Sequence, residues 1–157
     1  MDDRALTFSY FSRDNGARLK PENLIIVVGM HDLTKIQPKD EYTVDRIIVH
    51  ENYKIGKKNE PINDITLLHI PKAIDFSSGL VNSVCLPAPG ERFVKNLDVS
   101  GWGKTLESGV GSDVLQTVQV FVHGDAECSK GNLKDVFRPH EMFCAGVRKG
   151  GKDSCEV

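Results

Sequence analysis

VLQTVQVFV (114–122) sets Val118, Val120 and Val122 against Thr117, Gln119 and Phe121. A period of two puts the three valines on one face of a pleated strand and their neighbours on the other. Short β-rich apolar segments recur along the chain as LIIVV (24–28), RIIVH (46–50), ITLLHI (65–70), LDVS (97–100) and MFCAGV (142–147). Turn-formers punctuate them, among them Asp14-Asn15-Gly16, Pro38, Pro61, Pro87-Ala88-Pro89-Gly90, Gly109, Gly111 and Gly150-Gly151. A single short helix is signalled: Asp125 is placed to cap a turn running through Glu127 to Lys130, with Gly131 to stop it. Many short strands with almost no helix predict an antiparallel all-β barrel or sandwich.

The chain has 157 residues, one domain's worth, and enough to bury a core. Twenty Lys and Arg against 22 Asp and Glu give a net charge of −2. That balance excludes the electrostatic footprint of a nucleic-acid or anionic-membrane binder. No apolar run approaches the ~20 residues of a membrane span. Asp2 and Asp3 precede a short LTFSYF stretch that is wrongly flanked for a signal peptide. Lys54, Lys57 and Lys58 read as a solvated loop and not as a polyanion site.

The four cysteines, 85, 128, 144 and 155, contain no close pair of the kind zinc ribbons and redox motifs use. A disulfide framework or plain buried thiols remain, and the residues themselves allow three pairings. CLPAPGE (85–91) is the natural connector between two halves. With about three strands on either side of it, neither half has a full complement for a closed barrel.

Four further stretches fall in a fixed order: NDITLL (63–68), CLP (85–87), SGWGKT (100–105), and FCAG (143–146) followed by KDSC (152–155). In this order and at these gaps they resemble the trypsin-like (chymotrypsin-fold) serine proteases. LIIVVGMHDL (24–33) and IIVHENY (47–53) are similar to the N-terminal barrel strands of that family. The resemblance covers roughly residues 20–155. It implies an all-β, trypsin-like double antiparallel β-barrel in which both barrels are incomplete. A divergent segment (1–20) would precede a partial protease domain (21–157), made of an N-terminal barrel part (21–84), a connector (85–96) and a C-terminal barrel part (97–157).

The resemblance matches Asp64 of NDITLL to the triad aspartate, which holds a histidine in the productive tautomer and stabilises its protonated form. Read without that frame, Asn63-Asp64 is a turn cap ahead of a strand. Asp153 of KDSC matches the carboxylate at the floor of the primary specificity pocket, where it would pair with the fork of an arginine or the ammonium of a lysine. Its bland alternative is a solvated aspartate in a glycine-rich tail. Cys128 and Cys144 match a disulfide that brackets the short helix and the next strand. Cys155 resembles a cysteine whose partner lies further downstream, Cys85 one that pairs with an upstream activation segment, and Leu97 stands where many relatives have another cysteine.

Gly101-Trp102-Gly103 is a structural signature, with glycines for a tight backbone path and an indole to pack against the barrel. None of the five histidines (31, 50, 69, 123, 140) precedes LIIVV as the catalytic base should, so all are read as surface or half-buried. The family's calcium loop would fall between Gly29 and Asp40, where Met30 and Gln37 replace oxygen-rich ligands. Neither a metal nor a cofactor is expected.

After KDSC the resemblance implies a glycine-rich stretch and the nucleophilic serine whose backbone forms the oxyanion hole, but Glu156 and Val157 follow. The histidine base belongs within the first dozen residues, where LTFSYF stands. The expectation is a serine endopeptidase domain, incompetent as these residues stand, whose intact parent cleaves protein or peptide substrates after Arg or Lys. Alternatives are a non-catalytic homologue serving as a protein-binding module, and an unrelated all-β interaction domain. Family and cysteines together imply an extracellular parent.

Overall fold

In ITLLHI the alternate residues Thr66, Leu68 and Ile70 are 3%, 6% and 1% exposed, and the first part of the chain is arranged around them. A computed structural model of the protein describes residues 4–7 (as backbone), 19–93, 96–104 and 109–147. The strands are β1 (Arg4–Thr7), β2 (Ile25–Val27), β3 (Glu41–Thr43), β4 (Arg46–Val49), β5 (Lys54–Ile55), β6 (Pro61–Ile62), β7 (Thr66–His69), β8 (Asn96–Gly101), β9 (Gln116–His123) and β10 (Cys144–Gly146). One short α-helix, α1 (Asp125–Cys128), follows β9. The chain divides into two units, one built from Met1–Met30 and Ile36–Ser83, the other from His31–Lys35 and Val84–Val157.

In the first unit β7 is the middle strand of an antiparallel sheet ordered β1-β7-β4. Its register with β4 sets Ile47 opposite Leu68 and Val49 opposite Thr66, which stacks apolar and β-branched side chains on the buried face. Tyr42 and Val44 bury beside this sheet at 6% and 5% exposure. The Tyr42 hydroxyl accepts the amide of Asp75 (3.4 Å), and Lys72 Nζ lies 5.2 Å from its ring centroid. The phenol therefore contributes apolar area and keeps a polar end satisfied. β2 pairs with β3, and β5 with β6, as two-stranded ribbons.

In the second unit β9 is central in a sheet ordered β10-β9-β8, again antiparallel. Val118 faces Val99 and Val120 faces Leu97, while Thr117, Gln119 and Phe121 are exposed on the opposite face, as the period of two predicts. On that outer face Asn96 Nδ2 donates to Gln119 Oε1 (3.3 Å) and Gln119 Nε2 to Asp98 Oδ1 (3.4 Å). The segment His31–Lys35 is held in this unit by Leu33 N–H donating to Asp113 O (2.8 Å) and Leu115 N–H to His31 O (2.7 Å).

Six predicted strand segments form β2, β4, β7, β8, β9 and β10, most of them shorter than the apolar runs that signalled them. β1 was not anticipated; the edge of β7 supplies its partner. The helix begins differently from the expectation. Gly124 occupies the N-cap with no side-chain cap, and Asp125 is the first helical residue. Its carboxylate sits 3.1 Å from Arg92 Nη2 instead of closing the turn. Gly131, at φ +59, opens a separate 3-10 turn after the helix, a backbone state that costs glycine little. Among the described residues no sheet closes on itself: each is an open array of two or three strands.

Candidate functional site

Asp64 lies on the turn between β6 and β7, half-buried, immediately before the most buried strand of the first unit. Its local backbone is pinned from several sides. Ile65 N–H donates to Asn63 O (2.9 Å), His50 N–H to Ile65 O (3.1 Å), and Asn63 Nδ2 to Asn52 O (3.1 Å). Asn63 adopts φ +53, a left-handed state that asparagine tolerates better than most residues. The turn is thus preset by its own hydrogen bonds, and β7 behind it is anchored by burial.

Four of the histidines make contacts of their own. His50 Nδ1 accepts the amide of Asn52 (3.1 Å), closing the turn after β4. The carbonyl of His31 accepts Trp102 Nε1 (3.3 Å), so the indole of the Gly-Trp-Gly signature is tied by its polar edge. His123 Nδ1 lies 3.5 Å from Glu127 Oε2. Among the described residues His69 Nδ1 lies 2.5 Å from Asp45 Oδ1. The pair extends the β4–β7 ladder, where Asp45 N–H also donates to His69 O (3.2 Å). A spacing of 24 residues gave no sequence signal for it. Only the strand register brings the two together.

Cys128 and Cys144 are bonded, with Cα atoms 6.1 Å apart, and fasten α1 to β10. Cys128 is 2% exposed, whereas Cys85 is a free, exposed thiol. Asp153 and Cys155 lie outside the described residues. In the loop considered for calcium, Asp32 and Asp40 are turned onto their own chain. Asp32 Oδ1 accepts Thr34 Oγ1 (2.6 Å) and Thr34 N–H (3.0 Å), its Oδ2 lies 2.9 Å from Lys35 Nζ, and Asp40 Oδ2 accepts Gln37 N–H (3.2 Å). The Thr34 hydroxyl, then Lys35, hold the Asp32 carboxyl down at about 2. Among the described residues no group of three or more His, Cys, Asp or Glu side chains is arranged to hold a metal ion.

A family model described as Trypsin matches residues 15–156. The chain is 39% identical over 138 residues to Trypsin-1 from Astacus astacus, covering 87% of this chain and 56% of that protein. It is 32% identical over 138 residues to Ovochymase-2 from Mus musculus, covering 85% of this chain and 22% of that one. The chain therefore spans about half of the first relative and a smaller share of the second. A solved structure titled "Structure of GrC" superposes with a TM-score of 0.73 over 95% of this chain and 61% of its own, at 22% identity, and shares the fold.

Proposed function

The chain belongs to the trypsin family of serine proteases, and from that premise we propose that it forms part of a secreted endopeptidase cleaving after arginine or lysine. The observation that carries the reading is the family match across residues 15–156, a span that takes in both Asp64 and Asp153. Asp64 is the orienting carboxylate: it accepts a hydrogen bond from the catalytic imidazole, fixes its tautomer, and stabilises the cation formed when the imidazole takes the nucleophile's proton. The pinned turn before β7 supports this role, because an orienter acts through position. Asp153 is the specificity anchor, pairing with the cationic tip of the substrate side chain.

These 157 residues taken alone do not turn over. A carboxylate without an imidazole, a nucleophile and an oxyanion hole contributes no acyl transfer. The test uses two proteins: the 157-residue chain, and the same chain joined to the portion of Astacus astacus trypsin-1 that it does not span. On chromogenic peptides the first should be silent. The second should cleave the basic substrate over the aromatic one, and Asp64→Asn in it should lower kcat by several orders of magnitude while leaving KM near its original value. Turnover by the short chain overturns its incompetence, a preference for the aromatic peptide overturns the specificity, and an Asp64→Asn variant of full activity overturns the triad role.

A further inference from the structure

Asp64 stands between two residues that are tied to one and the same neighbouring turn. After it, the Ile65 carbonyl accepts His50 N–H (3.1 Å); before it, Asn63 Nδ2 donates to Asn52 O (3.1 Å). The turn that receives both ties is closed by Tyr53 N–H donating to His50 O (2.9 Å) and Asn52 N–H to His50 Nδ1 (3.1 Å). Across Asp64 itself, Ile65 N–H donates to Asn63 O (2.9 Å), the i to i+2 bond of a γ-turn with Asp64 at its centre. The tie through Ile65 is a backbone bond that any residue at 65 would keep. The tie before Asp64 depends on the side chain of Asn63.

Two properties of Asn63 meet at this point. Its φ of +53 is a left-handed state that glycine enters freely, asparagine tolerates and most other residues resist. Its carboxamide supplies an N–H donor that reaches a carbonyl 11 residues earlier. Glycine would give the backbone state without the donor, and alanine would give neither. The backbone at 63 sets the direction in which the chain enters Asp64, so a rotation there swings the carboxylate as the end of a lever. A reacting group displaced by about 1 Å can cost ~100-fold in rate.

We propose that Asn63 is a positioning residue whose left-handed backbone and carboxamide bond to Asn52 O together aim the Asp64 carboxylate, an inference that rests on the orienting role proposed for Asp64.

The test uses the chain joined to the remaining portion of Astacus astacus trypsin-1. Turnover of the basic chromogenic peptide is expressed per active site, counted from the burst of a nitrophenyl ester that acylates quickly and deacylates slowly. Asn63→Gly, which keeps the backbone state and removes the donor, should lower kcat about three- to ten-fold, and Asn63→Ala about ten- to hundred-fold, with KM within about two-fold of its original value. In both, the acid limb of the kcat/KM profile should move to lower pH, because a misaimed carboxylate stabilises the imidazolium less. Fewer active sites with unchanged turnover per site and an unmoved limb would mean that Asn63 serves folding alone, and would overturn the inference. Asp64→Asn tells this failure from failure of the orienting role: a fully active Asp64→Asn variant removes that role and the inference with it. Where Asp64→Asn is impaired, adding Asn63→Gly should cost no more than about two-fold, since no carboxylate is left to aim. A further fall as large as in the unchanged background would show that Asn63 acts through another group, and would overturn the inference while the role of Asp64 stands.

Discussion

β7 and β9 are both middle strands with antiparallel neighbours on either side, yet they are held by different means. β7 has four residues and, with Ile70 after it, buries Thr66, Leu68 and Ile70; Tyr42 and Val44 bury in the same unit. β9 is twice as long but fully buries Val120 alone, while Phe121 and Phe143 stay 45% and 49% exposed. The other buried residue among the described residues of that unit is Cys128, one end of a disulfide. The first sheet is therefore secured by side-chain burial in the native state. The second leans on a cross-link that restricts its unfolded state. A long, well-patterned strand does not ensure a core; what lies over its apolar face decides.

The sharpest way to break this contrast is Ile70→Ala. Among the described residues Ile70 is the most buried large side chain, and truncating such a residue costs about 2–5 kcal/mol. Urea unfolding should show that loss, and amide exchange in β7 should accelerate accordingly; a change below 1 kcal/mol would mean that burial is not what holds the sheet. Next in size is the double change Cys128→Ser with Cys144→Ser. The bonded cysteines are separated by 16 in sequence, and opening such a loop costs about 3 kcal/mol. Trp102 is the single tryptophan and lies in the second unit, so its fluorescence reports this loss. If the serine pair unfolds with an unchanged midpoint, the second sheet does not depend on its cross-link.

The same contrast explains what could be read in advance. Val118, Val120 and Val122 announced their face because a strand's period is written locally. β5 and β6 have two residues each and exist only through their mutual pairing, and β1 exists through β7; no local pattern encodes such partners. Asp125 is a good cap by residue type, but Gly124 takes the position while the carboxylate meets Arg92, 33 residues away in sequence. The Asp45–His69 pair is likewise a product of register. The role proposed for Asp64 rests on resemblance alone, since Asn63-Asp64 by itself spells a turn, and the backbone there does form one.

The smallest effect tests how the segment His31–Lys35 is kept in the second unit. Asp32 caps the Leu33–Lys35 turn through Thr34 and pairs with Lys35, and these partners lower its carboxyl from 3.8 to about 2. Between those values the unfolded chain binds more protons than the folded one at this site, so stability rises with pH across the window. The contribution is complete above the ordinary carboxylate value and is lost as the pH falls through about 2. Asp32→Asn removes the titrating group while keeping a hydrogen-bond acceptor for Thr34. Because the His31 carbonyl accepts the Trp102 indole, tryptophan fluorescence reads the same segment. Melting midpoints followed by fluorescence should therefore fall less steeply for Asp32→Asn than for the unchanged protein between about pH 4 and pH 2. Asp75, lowered by the amide and hydroxyl of Ser77, titrates in the same direction in both proteins and cancels in the difference. Superimposable pH profiles would show that the turn is held by its backbone bonds to Asp113 and Leu115 alone, with the carboxylate a bystander.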